Sequence, residues 1–166
     1  MRFKPHNYQQ FAIDFITNNP IAAILLDMGM GKTAITLMAI QYLMYETFEV
    51  SKVLVICPLR VTRTWRDEIG KWEQLHGLRY SIVTGTATQR KKALAADADI
   101  YIINRENVPW LVDKSGVPFS FDMVVIDELS SFKNHQTARH KILCSSVLLV
   151  AGRTLGFPCP KGSCKL

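Results

Sequence analysis

Short apolar runs rich in β-branched residues alternate with helix-compatible segments along most of the chain. The runs occupy residues 22–27, 52–57, 80–84, 99–104, 122–127 and 145–150. Helix-compatible compositions occupy the segments between them, at 32–48, 62–74, 87–96, 105–112 and 136–143. An apolar run without polar alternation is typical of a strand that is buried on both faces. The alternation therefore predicts an α/β fold, with a mostly parallel central sheet and helices on both sides.

A further helix is predicted around residues 8–17, before the first apolar run, and the sequence "NNP" ends it. The stretch at 112–121 contains glycine and prolines, which predicts a surface loop. No repeat or linker divides the 166 residues, so we expect one domain, 1–166, that is too short for two large lobes. No apolar run reaches the ~20 residues of a membrane span, and the first residues lack a signal-peptide core. A cytoplasmic protein without membrane contact is expected.

The first apolar run leads into "DMGMGKT", which ends in Lys32 and Thr33 at the start of a predicted helix. Ligands of open parallel sheets bind beyond the carboxyl ends of the strands, where this loop is expected to lie. Glycines let backbone amides approach a ligand closely, and a helix N-terminus attracts anions. The strict phosphate-loop pattern would place a glycine at Leu26, so an ordinary helix-opening turn remains the alternative. The residues predicted to bind nucleotide are Met28, Gly29, Met30, Gly31, Lys32 and Thr33.

A second motif, "VVIDELSS", ends a predicted strand with Asp127 and Glu128. In nucleotide hydrolases a carboxylate at a strand end holds Mg²⁺, and an adjacent glutamate can polarise the attacking water. A solvated acidic pair at a helix start is the alternative, since acidic side chains are favoured there. Both motifs close strands of one predicted sheet, and this joint arrangement favours a nucleotide hydrolase.

Together, "DMGMGKT", "DELS" and the intervening "KVLVICPLRVTRTWRDEIGKW" resemble the first RecA-like lobe of superfamily 2 helicases. The chain is most similar to Swi/Snf-type DNA translocases in their compact phage and bacterial form. This resemblance covers essentially the whole chain. It implies a RecA-like P-loop NTPase, a three-layer sandwich, that hydrolyses ATP with Mg²⁺ and moves on DNA. The middle segment matches the family in Pro58, Leu59, Trp65, Asp67, Glu68 and Trp72.

The resemblance implies a role for each matching residue. Tyr8 and Gln9 match the adenine-recognition motif, with Gln9 as the reader of the base. Lys32, Asp127 and Glu128 match catalytic residues, and Thr33 and Asp127 match the Mg²⁺ ligands. The segment "SSFKN" at 130–134 matches residues that help to couple the nucleotide to DNA. The implied nucleic-acid contacts are Pro58, Leu59, Arg60, Thr84, Gly85 and Arg105.

Basic residues follow two of the predicted strands. Lysine and arginine outnumber aspartate and glutamate by 20 to 14, which gives a net charge of +6. Arg60, Arg63 and Arg66 follow one strand and "QRKK" at 89–92 follows another, so they are expected to share one sheet edge and to contact phosphates. A solvated helix face is the alternative for these residues. No cluster that could read bases is visible, which predicts DNA binding without sequence preference, although RNA stays open.

Two tryptophans, Trp65 and Trp72, have a spacing that places them on one face of a predicted helix. This spacing fits packing in the core better than stacking on bases. Cys57 lies within an apolar run, while the later cysteines lack the paired spacing of a metal site, which predicts free thiols. Those later cysteines are Cys144, Cys159 and Cys164.

The stretch at 152–166 departs from the family's motif III, [ST]-G-T-P-x-P-x-G. Leu155 and Phe157 stand where hydroxyl residues are expected, which predicts a degenerate or truncated motif. The family's second lobe supplies arginines to the transition state. Without that lobe, which is either on another chain or missing, the 166 residues are expected to bind ATP weakly and to hydrolyse it poorly.

Two other functions stay open. One is a non-catalytic fragment that binds nucleic acid or protein, which the altered end of the chain favours and which Lys32 and the Asp127-Glu128 pair disfavour. The other is a different phosphate-loop enzyme, such as a kinase or a GTPase, which Gln9 and the "DELS" pair disfavour.

Overall fold

The computed structural model describes residues 1–127 and 147–151. Several sequence predictions fall outside these residues and stay predictions. They are the helix at 136–143, the coupling segment at 130–134, Glu128, the degenerate motif at 152–166, and Cys144, Cys159 and Cys164.

The described residues contain a sheet of six strands. The strands are β1 (Ala22–Leu25), β2 (Val53–Cys57), β3 (Tyr80–Val83), β4 (Ile100–Asn104), β5 (Met123–Asp127) and β6 (Val147–Ala151). Their order across the sheet is β1-β6-β5-β2-β4-β3. Each predicted apolar run overlaps one of these strands, so the prediction of the strands is confirmed.

The strands of the sheet are mostly parallel, as predicted. β3 pairs with β4, β4 with β2, and β2 with β5, all in parallel. β6 is the exception, because it pairs antiparallel with both β5 and β1. An apolar run reads the same in both directions, so its periodicity could not reveal this reversal. With β6 reversed between them, β1 and β5 run in the same direction.

Helices cover both faces of the sheet. They are α1 (Asn7–Asn18), α2 (Lys32–Tyr45), α3 (Thr62–Lys71), α4 (Ala87–Leu94) and α5 (Val108–Asp113). One core joins α1, α2 and α3 to residues such as Val53 and Ile100, and a second core joins α4 and α5 to Leu54 and Ile103. Alternate strand residues point to opposite faces, so β2 and β4 are buried along their whole length. The predicted three-layer sandwich is confirmed.

α2 is buried on all sides through its middle, at residues 34–40. A helix that is apolar all round is typical of a position inside the core. This packing fixes the direction of the first turn, where Lys32 and Thr33 lie. None of the helices in the described ranges is long and apolar enough to cross a membrane.

The carboxyl ends of β1 to β5 point to the same edge of the sheet, because β6 alone among the described strands runs the other way. The loops after β1, β2, β3 and β4 are therefore collected at one edge. This is the edge where open α/β sheets bind their ligands.

Candidate nucleotide site and nucleic-acid interface

The loop at 28–31, which we call the phosphate loop, joins β1 to α2. Gly29 and Gly31 both have left-handed backbones, with φ of 82° and 76°. Gly31 is also the N-cap of α2 and makes no side-chain cap, so the first amides of the helix have no capping side chain. A Cβ at Gly31 would lie 2.8 Å from Nε2 of Gln9, whereas one at Gly29 would meet nothing within 4 Å. Met28, at the tip of the loop, is exposed.

Lys32 lies against the loop that precedes it. Its Nζ donates hydrogen bonds to the carbonyl oxygens of Leu26, at 2.8 Å, and Asp27, at 2.9 Å. An ammonium group has three donors, so two of them are used by the protein's own backbone. The same charge could move to phosphate oxygens by exchanging these neutral acceptors for anionic ones, which form shorter and stronger hydrogen bonds.

Asp127 ends β5 on the same face of the sheet as α2. Met123 and Val125 belong to the core under α1, α2 and α3, and the period of two places Asp127 on that face as well. Through β6, Leu25 pairs with residue 147 and Asp127 with residue 148, so the ends of β1 and β5 are level. Two strand spacings separate them, roughly 10 Å.

The oxygen donors of Thr33 and Asp127 fit Mg²⁺. Mg²⁺ prefers oxygen ligands and is usually held by one or two protein groups together with phosphates and water. Thr33, in the first turn of α2, and Asp127 supply a hydroxyl and a carboxylate to the same edge and face. Within residues 1–127 and 147–151, no three His, Cys, Asp or Glu side chains form a metal cluster. A single hydroxyl and a single carboxylate suit a nucleotide-bound metal, whose remaining ligands are phosphate oxygens and water.

Tyr8 and Gln9, at the start of α1, both contact the phosphate loop. The side-chain amide of Gln9 donates to the carbonyl oxygen of Met30, and so does the hydroxyl of Tyr8, each at 3.4 Å. The other end of the Gln9 amide, Oε1, accepts from the backbone nitrogen of His6 at 2.9 Å. Gln9 is buried. In this structure the predicted base-reading amide therefore also ties α1 to the loop.

A cavity of about 280 Å³ lies beside the phosphate loop. Gln9, Gly29 and Gly31, which the sequence predicts to bind nucleotide, line it. The cavity also contains residues for which the sequence predicted no nucleotide role: Phe3, Lys4, His6, Ala34, Glu68, Lys71 and Trp72. These residues line the cavity because the N-terminal segment contacts the end of α3. No local motif indicates such a contact.

The two tryptophans differ in their surroundings. Trp65 is fully buried, which confirms its predicted place in the core. Trp72 follows α3 as its C-cap and is half-buried at the rim of the cavity. Its indole nitrogen donates to Glu68 at 2.6 Å, and Phe3 packs edge-on against its ring with centroids 5.1 Å apart. Trp72 therefore forms part of the cavity wall as well as packing on the core.

The six predicted nucleic-acid contacts form one row along the carboxyl edge, which we call the strand-exit surface. It consists of Pro58, Leu59, Arg60, Thr84, Gly85 and Arg105. Cys57 pairs with Asn104, and Val83 with Ile103, so the exits of β2, β4 and β3 lie side by side at nearly the same level. Two strand spacings span the row, about 10 Å. Leu59, Arg60 and Gly85 are exposed, and the remaining three are half-buried.

Arg105 carries its own counter-charge. Its Nε donates to Oε1 of Glu106 at 2.8 Å, while Asn104 donates to Oε2 at 2.9 Å. The hydrogen bond from Arg105, followed by the one from Asn104, lowers the pKa of Glu106 from 4.5 to about 2. Glu106 is therefore ionised at neutral pH and reduces the net positive charge at this end of the strand-exit surface.

Arg90, in the basic run at 89–92, is used within the protein. Its guanidinium lies over the ring of Trp110, 4.1 Å from the centroid, and donates a hydrogen bond to Asn107. These contacts tie α4 to α5. Lys91 and Lys92 are exposed. Within this run, the two lysines are therefore the residues whose charges are exposed for the predicted contact with phosphates.

A second cluster of charges lies at the opposite edge of the sheet, where β3 and β4 begin. Arg79 forms ion pairs with Asp97 and Asp99, and the backbone nitrogen of Arg79 also donates to Asp99 at 2.8 Å. Burial raises the pKa of Asp99, but the hydrogen bonds from Arg79 outweigh it and hold the pKa below its ordinary value of 3.8. Because these groups bind one another, we assign the cluster to stability.

Comparison with known proteins places these features in context. A family model described as SNF2-related domain matches residues 8–152. Protein p41 of Acyrthosiphon pisum secondary endosymbiont phage 1 is 31% identical over 169 aligned positions, which cover 96% of this chain and 37% of that protein. The ISWI chromatin-remodeling complex ATPase ISW1 of Saccharomyces cerevisiae is 31% identical over 132 positions, which cover 75% of this chain and 11% of that protein.

Solved structures give a similar result. The Sulfolobus solfataricus SWI2/SNF2 ATPase core in complex with dsDNA matches with a TM-score of 0.65 and 28% identity. The match covers 82% of this chain and 28% of that one. The chain thus spans little more than a third of the phage relative and about a tenth of the yeast relative.

Proposed function

The chain belongs to the SNF2-related domain family, and from this premise we propose that it is the ATP-binding lobe of an ATP-dependent DNA translocase. In this proposal the lobe binds Mg²⁺-ATP at the phosphate loop and contacts DNA at the strand-exit surface. Coupling between the two sites converts ATP hydrolysis into movement along the nucleic acid.

The geometry of the phosphate loop is the observation that carries this proposal. Two left-handed glycines, an N-terminus without a capping side chain and the ammonium of Lys32 meet at the carboxyl end of β1. Backbone amides at a helix N-terminus favour anions, and a lysine beside them adds a full positive charge. Asp127 lies level with this loop on the same face of the sheet.

Each residue of the site has a proposed task. Lys32 exchanges the carbonyl oxygens of Leu26 and Asp27 for oxygens of the outer phosphates. Thr33 and Asp127 hold Mg²⁺, which when bound offsets the charge of the terminal phosphates. Glu128 orients the attacking water and receives its proton. Gln9 recognises adenine while it also holds Met30, so that recognition of the base and the shape of the loop are linked.

DNA is the polymer we propose for the strand-exit surface. The solved relative from Sulfolobus solfataricus is in complex with dsDNA, which supports this choice. The surface offers two guanidinium groups, a hydroxyl and backbone groups rather than a cluster for reading bases, so contacts should be made with the phosphate backbone. Binding is then independent of sequence and weakens steeply with salt.

Hydrolysis by these 166 residues alone is proposed to be slow. The family resemblance implies that a second lobe supplies arginines to the transition state, and an arginine donated in this way is worth roughly 10³–10⁵ in rate. We therefore expect weak ATP binding and poor turnover by the purified chain. Rapid hydrolysis stimulated by DNA in the absence of any other protein would contradict this part of the proposal.

Calorimetric titration with Mg²⁺-ATP tests the proposal, with the wild type, Lys32→Ala and Lys114→Ala compared. Lys114 is an exposed lysine at the end of α5 and serves as the matched control. Loss of a charged hydrogen bond costs about 1.5–3 kcal/mol, so Lys32→Ala should weaken binding by roughly 10- to 100-fold while Lys114→Ala binds like the wild type.

Two other outcomes would favour the alternatives. If the wild type binds no nucleotide, the chain is better explained as a non-catalytic member of the fold that binds nucleic acid or protein. If GTP binds to the site as tightly as ATP in a competition experiment, a different phosphate-loop enzyme is favoured. Equal affinities of the wild type and Lys32→Ala would remove the phosphate loop from the proposed mechanism.

A further inference from the structure

A hydrogen bond joins the core of α3 to the carboxylate at the end of β5. The indole nitrogen Nε1 of Trp65 donates to Oδ2 of Asp127 at 2.9 Å, although the two residues are 62 positions apart. Trp65 is fully buried, whereas Asp127 is half-buried at the sheet edge. A hydrogen bond to a carboxylate is charge-assisted and roughly twice as strong as one between neutral groups.

The donor is held rigidly in place. Trp65 packs in the core between α3 and the sheet, so its ring cannot turn without opening that core. The start of α3 is fixed as well, because the hydroxyl of Thr62 donates to the carbonyl oxygen of Leu59 at 2.8 Å. A rigid donor of this kind holds the oxygen that accepts from it and so restricts the rotation of the carboxylate.

We infer that Trp65 is a positioning residue that orients the carboxylate of Asp127 for Mg²⁺. The inference rests on the proposed function, because it requires Asp127 to bind the metal of Mg²⁺-ATP. Partners that orient metal ligands typically contribute 10- to 100-fold to metal affinity. Trp65 touches neither the metal nor the nucleotide in this inference; it acts through Asp127 alone.

The experiment measures nucleotide affinity twice for each variant, once with Mg²⁺ and once with EDTA. The ratio of the two affinities is the gain that Mg²⁺ provides. Trp65→Phe keeps an aromatic ring in the core but removes the N–H donor. It should reduce the gain by about 10-fold and leave the affinity in EDTA close to that of the wild type.

A double-mutant cycle separates positioning from a merely structural effect. In Asp127→Asn the amide oxygen can still accept from Trp65, but the charge that binds Mg²⁺ is gone. If Trp65 acts through Asp127, then Trp65→Phe should lower the gain in the wild-type background and should have no further effect in the Asp127→Asn background. A structural defect would lower the affinity in both backgrounds and in EDTA.

Two further variants guard against misfolding. Replacement of Trp65 by β-(3-benzothienyl)alanine exchanges the N–H for sulfur while it keeps a bicyclic ring, so the core stays filled and the donor is lost. Trp110→Phe is the matched control, because it removes the same indole from the other face of the sheet. The first variant should reproduce the loss of Trp65→Phe, and the second should retain the wild-type gain.

The outcomes distinguish this inference from the proposed function. If the wild type gains affinity from Mg²⁺ and the folded Trp65 variants gain equally, the positioning role is overturned and the proposed function stands. If the wild type binds no nucleotide, or binds it equally well in EDTA, the assignment of Asp127 to Mg²⁺ fails and the positioning role fails with it.

Discussion

The two glycines of the phosphate loop allow backbone strain and side-chain collision to be measured separately. Gly29 and Gly31 have similar positive φ values, 82° and 76°. A Cβ at Gly29 would meet nothing within 4 Å, but a Cβ at Gly31 would lie 2.8 Å from Nε2 of Gln9. Alanine should therefore cause the same backbone strain at both positions, but a collision with a side chain only at position 31.

The shared cost is that of a left-handed backbone in a residue with a Cβ, about 1–2 kcal/mol. Alanine also restricts the unfolded chain, which returns about 0.4–1 kcal/mol. Gly29→Ala should thus lower the free energy of unfolding by about 0–1.6 kcal/mol.

The additional cost at Gly31 comes from Gln9, which is buried and must move away. Moving it strains a rotamer by about 0.5–1.5 kcal/mol. It also weakens the hydrogen bonds with His6 and Met30, each worth about 0.5–1.5 kcal/mol. Gly31→Ala should therefore lower the free energy of unfolding by about 2–4 kcal/mol in total.

Urea denaturation of the four single and double variants, Gly29→Ala and Gly31→Ala with and without Gln9→Ala, measures these costs. In the Gln9→Ala background the two glycine substitutions should lower the free energy of unfolding equally, because no side chain remains for the Cβ at position 31 to displace. Equal losses in the presence of Gln9, or an excess at Gly31 that survives its removal, would refute the reasoning.

Two other predictions follow from charges on the structure. Glu106→Gln should release Arg105 for DNA phosphates, so that affinity rises and the slope of log K against log salt steepens by up to about 0.9, measured by fluorescence anisotropy of labelled DNA; an unchanged slope would show that Glu106 does not withhold Arg105 from the phosphates. Asp99→Asn should lower the free energy of unfolding at pH 7 by about 1 kcal/mol or less, because the charge that pairs with the exposed Arg79 is lost. Since the folded pKa of Asp99 lies below its ordinary 3.8, this contribution is complete above that value and is lost as the pH falls through the lowered pKa. Wild type and variant should therefore converge in acid, and a difference that persists there would rule out ionisation of Asp99 as its source.

Much of the candidate nucleotide site follows from local sequence. Glycines with positive φ, a lysine in the first turn of a helix and a carboxylate at a strand end are each indicated by short motifs, and the described structure has them at the predicted positions. The contribution of Lys4, His6 and Trp72 to the cavity could not be predicted in this way. It depends on contact between the N-terminal segment and the end of α3, as in the hydrogen bonds between Phe3 and Gln74.

The basic residues on and beside the strand-exit surface show the same limit. The sequence placed basic residues after β2 and β3, but a formal charge does not reveal whether the side chain is free to meet a phosphate. Arg90 binds Trp110 and Asn107, and Arg105 is paired with Glu106. Only the folded structure shows which basic side chains already bind other groups of the protein.

By itself, the sequence determined the alternation of strands and helices, the layered fold and the glycine-rich loop, because each is specified by residues that are neighbours along the chain. The reversed direction of β6 and the hydrogen bond from Trp65 to Asp127 were decided only by the tertiary structure. An apolar run fits a sheet in either direction, and a partner 62 residues away is chosen by the packing of α3 on the sheet. Local periodicity specifies which face of an element is buried, while folding alone specifies what that face meets.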